Sequence, residues 1–187
     1  MSSGGERAGG AEGVVRAVEA TSHEFADDGA IPNNPTLPFL VYASALRLPD
    51  DDPASACETV FAANGWAGAW RDGIYPFAHY HSTAHEVLGI CRGEAKVRFG
   101  GGSGVVLTVR AGDVVVIPAG VGHQNLYASA DLLVVGAYPR GQSQDLCRGM
   151  ADERPRVLDN IAHVPLPAAD PVYGVDGPLM QHWHGAG

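Results

Sequence analysis

Three histidines and one glutamate fall within eight residues of this chain: His79, His81, His85 and Glu86. Imidazole nitrogens and a carboxylate oxygen form a ligand set suited to Fe, Mn, Ni, Cu or Zn. The flanking residues, Tyr75 to Phe77 before and Val87 to Ile90 after, favour strand over helix. On a strand, residues two apart share a face, so His79 and His81 reach one point in space. His81 and His85 would share a face only on a helix. On a strand, an inward Glu86 takes Leu88 and Ile90 with it and turns His85 and Val87 outward. A lone histidine is more often a satisfied buried side chain than a ligand. Three at this spacing beside a glutamate reverse that preference.

The elements that must position these groups follow from pattern. From Trp66 to Tyr138 the apolar period is two, in short runs: Trp66–Arg71, Phe77–Ser82, His85–Cys91, Glu94–Phe99, Val105–Arg110, Val114–Ile117, His123–Ala128 and Leu132–Tyr138. Gly and Pro turns separate them, including Asp72-Gly73, Gly100–Gly104 and Pro118-Ala119-Gly120. Such a series predicts a mainly β sandwich or barrel. Before it, residues 14–65 form an arm with strand candidates at Val14–Val18 and Phe39–Leu46. The arm's one helix opens at Asp52-Pro53, an N-cap followed by a first-turn proline, and closes at Asn64-Gly65. Residues 1–13 are a Gly-rich tail. Residues 139–187 are an irregular extension, with a helix near Glu153–Ile161 and a proline-rich wrap over Val164–Leu179.

Two stretches carry a family resemblance. The first is Gly73-x5-His79-x-His81-x4-Glu86-x6-Gly93, and the second is Gly112-x5-Pro118-x-Gly120-x2-His123. Together they resemble the two signature motifs of the cupin superfamily, a double-stranded β-helix or jelly-roll barrel. The longer strings around them look like a subgroup of small bacterial cupins. The second motif lacks its terminal asparagine: that position is Tyr127, and Asn125 stands two residues after His123. The resemblance implies one divalent transition metal (Fe, Mn, Ni or Zn) ligated by His79, His81, Glu86 and His123. His85 is the alternative to Glu86. The Pro118-x-Gly120 turn is what lets a later strand deliver His123 to the same interior. Same-face logic adds pocket residues: Tyr75 and Phe77 with His79, and Asn125 and Tyr127 with His123. Arg71, beside Trp70, is a candidate for holding a substrate carboxylate.

Composition removes other classes. The 187 residues carry a formal net charge of −9, which disfavours nucleic acid and anionic membranes as partners. No apolar run approaches the roughly 20 residues that span a bilayer. The N-terminus lacks the apolar core of a secretory signal, so the expectation is a cytoplasmic protein. Cys57, Cys91 and Cys147 form no paired motif and read as packed thiols. No dinucleotide fingerprint or nucleophile elbow is present. Three functional expectations stand. The first is an oxygen-dependent dioxygenase on a small organic substrate. Beside it stand a metal-assisted isomerase or decarboxylase, and a non-catalytic small-ligand module. The resemblance also implies a homodimer, for which Phe39–Leu46 is a pairing edge.

Overall fold

The computed structural model describes residues 13–185. Apart from Gly13, the tail expected at the N-terminus lies outside the described residues. The strands are β1 (Thr21–His23), β2 (Phe39–Tyr42), β3 (Trp66–Asp72), β4 (Glu86–Arg92), β5 (Glu94–Phe99), β6 (Val105–Arg110), β7 (Val114–Ile117), β8 (His123–Ala128) and β9 (Leu133–Pro139). The α-helices are α1 (Pro53–Ala63), α2 (Arg156–His163) and α3 (Pro178–His184). All pairings between named strands are antiparallel. They build a six-stranded sheet in the order β1-β2-β7-β4-β9-β3 and a three-stranded sheet in the order β6-β5-β8. This is the mainly β arrangement that the period-two runs predict, and it is consistent with the jelly roll that the cupin resemblance implies.

Alternation along the strands sorts side chains between two cores. Leu88 and Ile90 of β4, Val115 and Ile117 of β7, and Val97 and Phe99 of β5 meet between the sheets. Val87 and Cys91 of β4 and Val116 of β7 face the other way, onto Cys57, Val60 and Phe61 of α1. Because both faces of β4 are covered, six of its seven residues are buried. The Asp52 carboxylate accepts the Ser55 N–H at 3.1 Å, which starts α1 where the Asp-Pro pair predicts. Gly89 lets that helix lie close: a Cβ there would stand 2.3 Å from Cys57 Sγ.

Three local expectations are corrected. The first strand falls at Thr21–His23 rather than Val14–Val18, where Val15 makes only a single bridge to Leu46. Phe77–Ser82 is no regular strand. His79 bridges His123 on one side and Tyr80 bridges Cys147 on the other, so each peptide is held by a different neighbour. The segment after Pro178 is a helix rather than a loose tail, and it buries Trp183, whose indole N–H donates to the Pro38 carbonyl at 2.9 Å. That anchor is tertiary and has no counterpart in local pattern.

Candidate metal centre

The bridged segment keeps the geometry that matters. His79 and His81 face the space between the sheets, while Tyr80 turns away to pack with Ile31, Cys147 and Val157. His123 opens β8 opposite His79, the two backbones exchanging N–H···O bonds of 3.2 and 2.9 Å. Each of the three buried rings offers a nitrogen, and these atoms lie within 4.8 Å of one another. Glu86 enters from the start of β4, 2% exposed, with Oε2 at 3.4 Å from His81 Nε2 and 3.2 Å from His123 Nε2.

The other ring nitrogens decide what these contacts mean. His79 Nδ1 lies 3.1 Å from the Phe77 carbonyl and His123 Nδ1 lies 3.3 Å from the Val121 carbonyl. His81 Nδ1 makes a short contact with the Asp145 carbonyl. A carbonyl only accepts, so each Nδ1 carries a proton, and in its neutral form each ring presents a bare Nε2 lone pair. Those lone pairs face a carboxylate oxygen that has no hydrogen-bond partner of its own. Lone pairs gathered on one buried point repel unless a cation lies among them. The donor set, three imidazoles and one carboxylate, fits a first-row divalent ion.

The electrostatics agree. Burial pushes the His79 ring down to about 3, helped by His123, so it stays neutral. Burial would also depress His81, but the Glu86 charge outweighs it and the ring is raised. Burial would raise the Glu86 carboxyl, yet His81 and His123 hold it below its usual range.

The other residues singled out in the sequence have definite places. His85 lies on the opposite side of β4 from the cluster. Its ring packs 4.8 Å from that of Trp183, and its Nδ1 accepts the Ala119 N–H at 2.9 Å. It is fully buried, and burial pushes it down to about 4. Tyr75 lines a cavity of about 610 Å³ that opens onto the cluster. Phe77 stacks on Tyr75 at 4.8 Å and carries the Arg148 guanidinium 3.8 Å over its ring, outside the cavity wall. Asn125 pairs with Val97 on the side of His123 but caps its own strand, accepting the Tyr127 N–H at 3.0 Å. Tyr127 does not share that side. The β5–β8 register slips by one residue, Leu126 bulges, and Tyr127 pairs with outward Lys96, 55% exposed. Arg71 borders the cavity, but three of its five donors are taken. Nε and Nη2 bind Glu58 at 2.7 and 2.8 Å, and Nη2 also reaches Ser55 at 2.9 Å. The carboxylate of Glu58, the sixth residue of α1, therefore holds the cation that was expected to meet a substrate.

Sequence reading missed the residues that hold the clustered histidines in place. The Asn33 side chain accepts the Gly122 N–H at 3.2 Å and donates to the Gly100 carbonyl at 3.0 Å. The Asn34 amide donates to the Ala119 carbonyl at 3.0 Å. These two pin the turn that delivers His123. On the other side, Asp145 accepts the Ser82 N–H at 2.6 Å and the Ser82 hydroxyl, while its carbonyl holds His81. Asn160 of α2 donates to the same hydroxyl at 2.9 Å. Polar residues in coil carry no periodicity, so the only signal was the Pro-Asn-Asn-Pro run itself.

Comparison with known proteins places these features in company. A family model described as "Cupin" matches residues 71–137. A Bacillus subtilis (strain 168) protein described as "Uncharacterized protein YjlB" is 41% identical over 165 residues, covering 88% of this chain and 97% of the relative. Among solved structures, acireductone dioxygenase from Bacillus anthracis, with a cadmium ion in its active centre, matches 52% of this chain and 70% of its own at 14% identity and a TM-score of 0.36. RmlC from Streptococcus suis, in complex with dTDP-D-xylose, matches 88% of this chain and 94% of its own at 11% identity and a TM-score of 0.35.

Proposed function

The chain belongs to the cupin superfamily, and from that premise we propose that it binds one divalent transition metal through His79, His81, Glu86 and His123 and acts as an oxygen-dependent dioxygenase on a small organic substrate. One observation carries the reading: three Nε2 atoms and an unpartnered carboxylate oxygen face one buried point while every Nδ1 is held elsewhere. A bound ion of the Fe, Mn, Ni or Zn type would supply a Lewis-acidic centre and, as Fe(II), a meeting place for O₂ and substrate. The protein's own part is positional. The cavity beside the cluster is walled in part by Trp70, Leu88 and Tyr138, apolar surfaces that would position a small organic molecule and limit water. Arg71, paired with Glu58, leaves the substrate to be held by shape and by the centre itself.

Two measurements test this. Elemental analysis of untagged protein is expected to give one metal per chain, lost in His81→Ala and His123→Ala; equal metal in all three removes the site. An oxygen electrode with Fe(II)-loaded protein and a panel of thiols, phenols, diketones and sugars is expected to show uptake with one class. Turnover without oxygen uptake would replace the dioxygenase by an isomerase or decarboxylase, and binding without turnover by a ligand module. The proposal extends to a cytoplasmic homodimer acting on a small molecule, with no nucleic-acid or membrane partner. Among the described residues no helix is long and apolar enough to cross a membrane. Light scattering that gives a monomer mass removes the dimer.

A further inference from the structure

Register places a hydroxyl beside the cluster that the ligand set does not use. Val87 of β4 pairs with Ala137 of β9, and one step further along the antiparallel ladder Glu86 stands opposite Tyr138. Gly136 and Tyr138 share the inward face of β9, since Val135 and Ala137 belong to the core on the outer side. The Tyr138 ring meets that of His81 edge-on, with centroids 6.2 Å apart at 88°. It borders the cavity and is 6% exposed.

Trp70 sets the direction of that hydroxyl. Its indole N–H donates to Tyr138 Oη at 2.8 Å. The indole can lie there because its cross-strand partner is Gly136: a Cβ at that position would stand 2.1 Å from its Cζ2 and 2.6 Å from its Nε1. A tyrosine hydroxyl has one proton to give. With the indole donating from one side, the Tyr138 O–H is left for another acceptor: the Glu86 carboxylate across the ladder, or a molecule in the cavity that Tyr138 borders. A glycine, a tryptophan and a tyrosine on two strands thus fix one donor next to the metal position.

We propose that Tyr138 is a ligand-reading residue: its hydroxyl, oriented by Trp70, donates a hydrogen bond to the molecule that occupies the cavity side of the metal centre. The inference rests on the metal reading above and deepens it, by requiring a hydrogen-bond acceptor atom, oxygen or nitrogen, on the ligand next to its point of attachment.

The test uses Co(II)-loaded full-length protein and azide, a small anion with acceptor nitrogens, followed by visible absorption. Metal content is measured first on every variant. Wild type without bound Co(II) ends the metal reading itself. With Co(II) bound, Tyr138→Phe keeps the ring and removes only the O–H, so it should retain full metal content while azide affinity falls about five- to tenfold. Trp70→Phe removes the indole donor and should give a smaller fall, because the hydroxyl remains but is no longer aimed. Unchanged azide affinity in both variants at full metal content overturns the proposal. Loss of Co(II) from Tyr138→Phe also overturns it, since the hydroxyl would then serve Glu86 rather than the ligand. Should Tyr138→Phe fail to fold, Trp70→Phe alone decides: equal affinity to wild type ends the proposal.

Discussion

Among the described residues two carboxylate side chains are buried, and they are buried for opposite reasons. Asp170 is fully buried and fully answered. Its Oδ2 accepts the Tyr42 hydroxyl at 2.6 Å and the Leu179 N–H at 3.0 Å, and its Oδ1 accepts the Val172 and Tyr173 N–H groups at 2.8 and 3.0 Å. Glu86 is just as deep, yet its Oε2 has no hydrogen-bond partner and faces imidazole nitrogens whose protons lie on their far sides. A carboxylate with donors on both oxygens stabilises a fold, because its desolvation is offset on the spot. A carboxylate left open costs stability and is kept for something that is to bind there.

The largest expected effect separates the two at once. Glu86→Gln should lower metal affinity by more than about a hundredfold, read by competition with a chromophoric chelator, while the metal-free protein loses less stability than it does in Asp170→Ala. Asp170→Ala should do the reverse. Leaving a buried hydroxyl and three buried N–H groups without an acceptor costs about 3 kcal/mol or more in urea unfolding, with metal stoichiometry unchanged. If the two variants fall alike in both assays, the division between them is wrong.

Ser82→Ala comes next. It removes a hydroxyl that sits between Asp145 and Asn160 and touches no ligand directly. Metal affinity should fall about tenfold through looser placement of His81, with little loss of stability. Glu153 gives the smallest effect and extends the comparison toward the surface. Burial would raise its carboxyl, but the Arg148 and Gly149 N–H groups and the Tyr80 hydroxyl together hold it below its ordinary value. A depressed carboxyl contributes stability that is fully present above its unfolded pKa, about 4.3, and is lost as pH falls through the folded value. Glu153→Gln should therefore lower the melting temperature at pH 7 and flatten its decline below about pH 4.5.

The legible parts of this fold were those with local causes. Glu94 to Phe99 alternates outward and inward as written, and Asp52-Pro53 starts a helix whose first residue is Pro53. The same-side placement of His79 and His81 needs only an extended backbone, so it survives the replacement of a strand by two single bridges. What could not be read depends on partners distant in the chain. Arg71 looked free because Glu58 belongs to another element. Tyr127 looked inward because a bulge leaves no mark in a six-residue strand. Asp145, Asn33 and Asn34 looked like loop filler, and Tyr138 like ordinary strand, until tertiary contacts showed what each one touches.

The ligand supports come from both arms of the chain, and this orders events in time. The Asp145 carbonyl that steadies His81 lies 64 residues downstream, and the Asn33 amide that pins the turn before His123 lies 89 residues upstream. Closing loops of that length is slow and entropically costly, and it precedes any reward from the contacts made. A chain emerging from the ribosome holds all three histidines well before it holds the carbonyl that orients one of them. On the metal reading proposed above, capture of the ion belongs to the end of folding, and a chain cut short before Asp145 carries the three histidines without the means to aim His81.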